Sequence, residues 1–295
     1  MSFSTLLFGP DGKVRPLLCA LLYAVLAFWV LSADWFMGPP LERLANTLQV
    51  TGLSAGGTAF YETVNLATAL LLTGLFAWYE QRRIDSYGFP IREAFGARFW
   101  EGFAIGVITA GAVAIGMIAL GGMTVHGLAL HGSRLLWASV AWFGANVLVG
   151  VAEELLFRGY LLQSLRKSLG FWPAALCISA WFAADHYFFK QGENLWDVIT
   201  LFSLGLWLCY SVLRTGTLWL AIGEHAAFDY MQIFIIGTPN GGIAPTGHLL
   251  NVSFHGPAWI TGGELGTEAS FLMYPTIALM FLYIAWRFQR GINNV

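Results

Sequence analysis

The chain has 295 residues, of which 57% are hydrophobic and only 11% are charged, and its formal net charge is −2. Soluble domains carry about 25% charged residues, so this composition excludes a globule that is covered by water on all sides. The charge balance lacks the basic excess of nucleic-acid-binding proteins, and we expect no nucleic-acid partner. Three cysteines, all inside apolar blocks, predict small packing residues rather than a disulfide framework.

Eight apolar blocks are long enough to cross a bilayer, which takes roughly 17–25 residues. They lie near 16–37, 59–79, 101–121, 135–164, 172–190, 195–213, 217–237 and 271–287. The first block follows Lys13 and Arg15 like a signal peptide, but no small-residue cleavage site follows it, so we expect it to remain as a helix. The blocks predict an all-α, polytopic transmembrane bundle that forms a single integral membrane domain over residues 1–295.

The distribution of lysine and arginine predicts the orientation of this bundle. With both termini in the cytoplasm, eleven basic residues fall in cytoplasmic segments and three, Arg43, Arg134 and Lys190, fall outside. The eleven are Lys13, Arg15, Arg82, Arg83, Arg92, Arg98, Arg166, Lys167, Arg214, Arg287 and Arg290. This bias follows the positive-inside rule and favours cytoplasmic termini.

Two connecting segments have unusual compositions. Residues 81–100 are basic and aromatic, which favours a helix lying on the cytoplasmic interface. Residues 238–270 form a glycine-rich outer loop without lysine or arginine. Because this loop exceeds the length of an ordinary connection, it is either a functional cap or mobile.

Ionisable side chains gather inside the fourth apolar block, where each costs about 2.5–3.5 kcal/mol on insertion scales. The run there reads Glu153-Glu154-Leu-Leu-Phe-Arg158. Glu154 and Arg158 are four residues apart and share one helix face, so they can pair. Glu153 lies about 100° around the helix, which leaves it free to point into a cavity. Two carboxylates in different environments are typical of acid–base sites.

Two further ionisable runs lie on other blocks, Phe182-Ala-Ala-Asp185-His186 and Glu224-His225-Ala-Ala-Phe-Asp229. His225 and Asp229 again share a helix face, and a carboxylate there can orient an imidazole. Counting 1.5 Å per residue from the cytoplasmic ends places Glu153, His186 and His225 about 20, 21 and 17 Å deep. The sequence therefore predicts that the three runs meet near the membrane middle.

Three ionisable clusters at one depth disfavour a purely structural role, because of what each costs to bury. Two functional classes remain. One is a hydrolase in which a glutamate activates water. The alternative is a proton- or ion-coupled membrane transporter that uses a Glu/His/Asp relay.

At these residues the chain resembles the CAAX-processing and bacteriocin-processing family of intramembrane peptidases. That family carries Glu-Glu-x-x-x-Arg, then Phe-x-x-x-His, then His-x-x-x-Asn or Asp, on separate helices. All three motifs occur here in order and with this spacing, within a family-like core of about 138–236. The resemblance implies an intramembrane endopeptidase that cleaves membrane-associated peptides or proteins, prenylated or leader-bearing ones among them, in a plasma membrane of bacterial type.

The resemblance also implies the roles of six residues. Glu153 would be the general base that activates water together with His186, and Glu154 with Arg158 would be its supporting pair. His225 and Asp229 would stabilise the oxyanion. Because an ionised aspartate repels an oxyanion whereas asparagine, the more usual residue there, donates to it, Asp229 has three alternatives: a protonated acid, an orienting partner of His225, or a metal ligand.

The resemblance leaves the need for a metal open. Two histidines and a carboxylate form a ligand set of catalytic zinc sites, so one divalent metal such as zinc is an alternative. No His-Glu-x-x-His motif occurs in the sequence, which favours a metal-free glutamate mechanism.

Overall fold

The computed structural model describes residues 8, 12, 14–31, 34–189, 194–240 and 242–289. The helices are α1 Pro16–Leu31, α2 Asp34–Thr47, α3 Ala55–Glu80, α4 Ala97–Ala119, α5 Gly132–Glu154, α6 Leu162–Leu169, α7 Phe171–Phe189, α8 Leu195–Thr215, α9 Trp219–Asp229 and α10 Met273–Arg287. The strands are β1 Met123–Leu128 and β2 Leu250–Phe254. The chain is thus an all-α polytopic bundle with one small sheet at its end.

Five of the helical segments are long and apolar enough to cross a membrane. They are Ala55–Glu80, Ala97–Ala119, Gly132–Leu169, Leu195–Thr215 and Gly263–Arg287. The other three predicted blocks are helical too, but α1 has 16 residues, Asp185 and His186 interrupt the apolar run of α7, and α9 ends at Asp229. The chain is an integral membrane protein, and eight is an approximate number of spans.

Basic residues at the ends of several helices lie at one end of the bundle, here called the basic end. Lys167 at the end of α6 lies 3.3 Å from Glu80 at the end of α3. Arg287 at the end of α10 lies 3.1 Å from Glu101 near the start of α4. Three residues used for the predicted orientation, Lys13, Lys190 and Arg290, lie outside the described residues.

The opposite end, here called the hairpin end, carries the sheet. Strands β1 and β2 pair antiparallel, with a bulge between Val125 and Gly127. The glycine-rich outer loop therefore contains a strand, followed by a helical turn Ala258–Thr261 and a 3₁₀ segment Gly263–Ala269. The backbone hydrogen bonds between β1 and β2 join residues about 127 positions apart in the chain, and they hold this loop, here called the cap, in place.

The predicted interfacial helix within residues 81–100 is wrong for most of its length. Two 3₁₀ turns, Ile84–Tyr87 and Ile91–Glu93, replace it, and α4 begins only at Ala97. Gly88 has a φ of 85°, a left-handed conformation that ends the first turn. The Gly88 carbonyl then accepts from the Leu218 amide at 2.7 Å, which anchors the start of α9.

Helix α9 is central to the bundle because glycines let its neighbours approach closely. A Cβ atom at Gly223 would overlap the Phe99 carbonyl oxygen of α4, and one at Gly102 would overlap the Leu220 carbonyl oxygen of α9. On the other side, a Cβ at Gly150 of α5 would lie 2.9 Å from the Ile222 carbonyl oxygen. Small residues at such contacts are typical of membrane helix packing.

Two helices change to π-helical geometry at their ionisable runs, the first directly after Glu154 and the second directly after Asp229. Helix α5 continues as a π-helix from Leu155 to Leu161, and α9 continues as one from Tyr230 to Ile236. Within the first of these, Gly159 has non-helical angles, φ −72° and ψ −113°. π-Helical segments are frequent at functional sites.

Candidate active site

Helices α5, α7 and α9 bring the ionisable runs around one cavity of about 450 Å³. Of the six residues predicted from the sequence, four line this cavity: Glu153, His186, His225 and Asp229. The other two, Glu154 and Arg158, are fully buried beside it. The structure therefore brings all six predicted residues into one region and divides them into a cavity-facing and a supporting group.

The supporting group is a hydrogen-bonded ion pair inside the protein. The Arg158 Nη1 donates to Glu154 Oε1 at 3.1 Å, and both side chains are 0% exposed. The same oxygen accepts from His225 Nδ1 at 3.0 Å. Glu154 therefore links the arginine of α5's π-helical extension to the histidine of α9, and this contact fixes the imidazole edge that faces away from the cavity.

The Arg158 guanidinium is enclosed by groups from two other helices. It lies 4.6 Å from the ring centroid of Phe182 on α7, a cation–π distance. Its Nη2 donates to the Gly205 carbonyl of α8 at 3.5 Å. A Cβ at Gly205 would lie 3.1 Å from Nη2. The absence of a side chain at Gly205 therefore gives the guanidinium the space that it occupies.

The cavity-facing group centres on His225 Nε2. Glu153 Oε2 lies 3.8 Å from this nitrogen, and Asp229 Oδ2 also lies 3.8 Å from it. The two carboxylates come from different helices, α5 and α9. Glu153 is 22% exposed at its side chain whereas Glu154 is 0% exposed, so only the first of the adjacent glutamates reaches the cavity.

His186 enters the cavity from α7 with its ring orientation fixed. Its Nδ1 lies 2.9 Å from the Phe182 carbonyl oxygen one turn earlier. Because a carbonyl only accepts, Nδ1 carries the proton and donates, which leaves Nε2 as the nitrogen that faces other partners. The Phe182 ring packs against the imidazole, with the ring centroids 4.6 Å apart and the planes tilted by 46°.

Three further glutamates lie at this cavity; the sequence pointed to Glu224 as part of the third ionisable run without giving it a role, and it did not point to the other two. Glu62 of α3, Glu224 of α9 and Glu268 of the cap all line it. Glu62 could have been identified from the sequence as a candidate site residue, since it is an ionisable residue inside an apolar block. The position of Glu268 depends on how the cap folds back, which local sequence does not reveal.

The donor groups do not fit a metal centre. Within the ranges that the structure describes, no group of three or more histidine, cysteine, aspartate or glutamate side chains is arranged to hold a metal ion. His225 Nε2 stands 3.8 Å from its two carboxylate neighbours. We therefore route no chemistry through a metal.

Comparisons with known proteins agree with the three motifs. Residues 135–231 match the family described as type II CAAX prenyl endopeptidase Rce1-like, and this range contains all six predicted residues. The uncharacterized protein YyaK of Bacillus subtilis (strain 168) is 29% identical over 135 residues, which is 44% of this chain and 44% of that protein. The chain thus matches less than half of this relative's length. No solved structure matches the chain.

The matched family points to an intramembrane CAAX-type endopeptidase and gives no support to the transporter alternative. It leaves the type of protease, glutamate or metal-dependent, undetermined. Residues 135–231 thus resemble the Rce1-like type II CAAX prenyl endopeptidase family in sequence.

Proposed function

We propose that this protein is an intramembrane endopeptidase in which Glu153 activates a water molecule for attack on a peptide bond. One observation carries the proposal. Of two adjacent glutamates, Glu154 is committed to Arg158 and His225, whereas Glu153 lines the cavity at 3.8 Å from His225 Nε2. A carboxylate that lines the cavity beside an imidazole is a suitable general base, because it can take a proton from a water molecule bound there.

In the proposed reaction the water oxygen bonds to the scissile carbonyl carbon while Glu153 takes one water proton. His186 helps to orient the water through Nε2. The tetrahedral intermediate then collapses, the carbon–nitrogen bond breaks, and the proton on Glu153 passes to the leaving amine. The products are a carboxylic acid and an amine, and the acid's remaining proton passes to the amine to give a carboxylate and an ammonium group, so atoms and charges balance.

His225 is proposed to stabilise the oxyanion. Its Nδ1 donates to Glu154, so a protonated ring presents a second N–H at Nε2 toward the cavity. Asp229 is proposed to orient this ring and favour its protonated form, since Asp229 Oδ2 is 3.8 Å from Nε2. An aspartate in that role touches the imidazole rather than the oxyanion, which removes the conflict of an anion beside an anion.

The proposed substrate is a membrane-associated peptide or protein, and the proposed setting is a bacterial plasma membrane with both termini in the cytoplasm. The test is peptide cleavage by purified protein in detergent, analysed by mass spectrometry. We expect the wild type to release defined products and Glu153→Gln to lose about 10²–10⁴-fold in rate, the usual contribution of a general base. Cleavage by folded Glu153→Gln at the wild-type rate would remove Glu153 from the mechanism.

A further inference from the structure

The cavity is more acidic than peptide hydrolysis requires. Five carboxylates line it: Glu62, Glu153, Glu224, Asp229 and Glu268. Among the described lining residues there is no lysine or arginine. The nearby Arg158 is 0% exposed and pairs with Glu154, so its charge is already balanced outside the cavity lining.

Glu224 is the most buried of these carboxylates. It lies on α9 next to His225 and is only 2% exposed. Its Oε1 atom is buried and has no hydrogen-bond partner in the part of the chain that the structure describes. A buried polar atom without a partner is costly, and an intramembrane carboxylate in this state indicates a ligand rather than packing.

Glu62 presents a second oxygen of the same kind from another helix. Its Oε1 accepts from Asn65 Nδ2 at 3.2 Å, whereas its Oε2 is buried and lacks a hydrogen-bond partner among the described residues. Glu62 and Glu224 belong to α3 and α9, and both line the same cavity. Two glutamates from separate helices, each with one unsatisfied carboxylate oxygen, thus line one cavity.

The surroundings favour an organic cation over a metal ion. No group of three ligating side chains for a metal forms among the described residues. The volume of about 450 Å³ has room for an amino-acid side chain, and Leu201, Leu204 and Phe228 add apolar lining. Carboxylates beside apolar walls suit a lysine or arginine, whose aliphatic stem packs while its charged head pairs.

We propose that Glu224 and Glu62 form a subsite for a basic side chain of the peptide substrate, close to the bond that is cleaved. That the bound peptide is a substrate rests on the proposed function, whereas the cation subsite rests on the two glutamates alone. These two are specificity-determining residues.

The test measures binding to Glu153→Gln protein, so that the peptide stays intact. The probes are fluorescent hydrophobic peptides in detergent with a chelator, each carrying one lysine or, in its twin, norleucine, which has the same stem without the charge. Each pair of peptides in the series carries the lysine or norleucine at a different position. We expect at least one lysine peptide to bind about tenfold or more tightly than its twin, as for a desolvated charge pair.

The variants assign this preference to residues. Adding Glu224→Gln and Glu62→Gln removes the negative charge with little change in shape. The ratio of the affinities for the lysine peptide and its norleucine twin should then fall to near one. Glu264→Gln is the matched control, since Glu264 is an exposed glutamate of the cap that does not line the cavity. That control should keep the full preference.

Each outcome distinguishes this inference from the proposed function. Equal binding of every lysine peptide and its norleucine twin would overturn the subsite, even if all variants failed to fold. A preference that survives the double Glu→Gln change would overturn its assignment to these residues. A lysine preference without any cleavage by the wild-type protein would contradict the proposed peptidase activity and leave the subsite standing. Cleavage by the wild-type protein without a lysine preference would contradict the subsite and leave the peptidase activity standing.

Discussion

At the scale of single residues, the adjacent glutamates have different surroundings because a helix turns about 100° between them. Glu154 points into the protein toward Arg158, and Glu153 points into the cavity. A buried ion pair gives little net stability, because desolvation offsets most of the attraction, but removing one partner leaves an uncompensated charge. Arg158 therefore supplies the buried cation that Glu154 pairs with, while the same carboxylate oxygen holds His225.

Replacing Arg158 by methionine should destabilise the fold strongly. The substitution leaves the Glu154 carboxylate buried without its cation, which costs about 3–5 kcal/mol. We expect a clearly lower melting temperature in detergent. Arg92→Met is the control, because the Arg92 side chain is 87% exposed and exposed pairs contribute about 0–1 kcal/mol. If the Arg158 and Arg92 variants melt alike, the buried pair does not have this role.

At the scale of helices, the site depends on how closely α4 and α5 approach α9. Gly102 of the third apolar block lies against the α9 backbone at Leu220, and glycines in a membrane helix are typical of such close packing. The partner helix could not be predicted, since a stripe of small residues does not identify what it packs against. The π-helical segments Leu155–Leu161 and Tyr230–Ile236 were also invisible in the sequence, because an extra residue in a helical turn leaves no compositional mark.

The glycine contacts give a prediction with a matched control. Gly223→Ala places a Cβ against the Phe99 carbonyl oxygen and should push α9 away from α4, costing about 1–3 kcal/mol as overpacking does. Gly111→Ala on α4 meets only the Met231 Cε at 4.0 Å. Thermal unfolding should show a loss for the first variant and none for the second. Equal stability of the two would mean that α4 and α9 are farther apart than the structure has them.

At the scale of the whole molecule, composition and spacing predicted the class of fold, while long-range pairing decided the rest. The apolar blocks became helices since each block satisfies its backbone internally, as a membrane requires. The cap could not be predicted, because β1 and β2 pair across 127 residues and β1 exposes most of its side chains. Glu62 and Glu268 reach the cavity only through such tertiary contacts.

The basic end and the hairpin end should face opposite sides of the membrane. In a Cys177→Ala background, which removes the exposed cysteine, a new cysteine at His126 of β1 should react with an impermeant maleimide in intact cells. A cysteine at Arg92, at the basic end, should react only after permeabilisation. The reversed pattern would invert the orientation that the lysine and arginine distribution predicts.

The division of labour between Glu153 and Glu154 is tested most directly by one paired measurement of peptide cleavage and melting temperature on Glu153→Gln and Glu154→Gln protein. The account predicts that Glu153→Gln loses cleavage and keeps the wild-type melting temperature, because its side chain faces the cavity. Glu154→Gln should lose cleavage and also melt earlier, since Arg158 then lacks its buried partner. Wild-type cleavage by Glu153→Gln, or a lowered melting temperature for that variant alone, would contradict this division of roles.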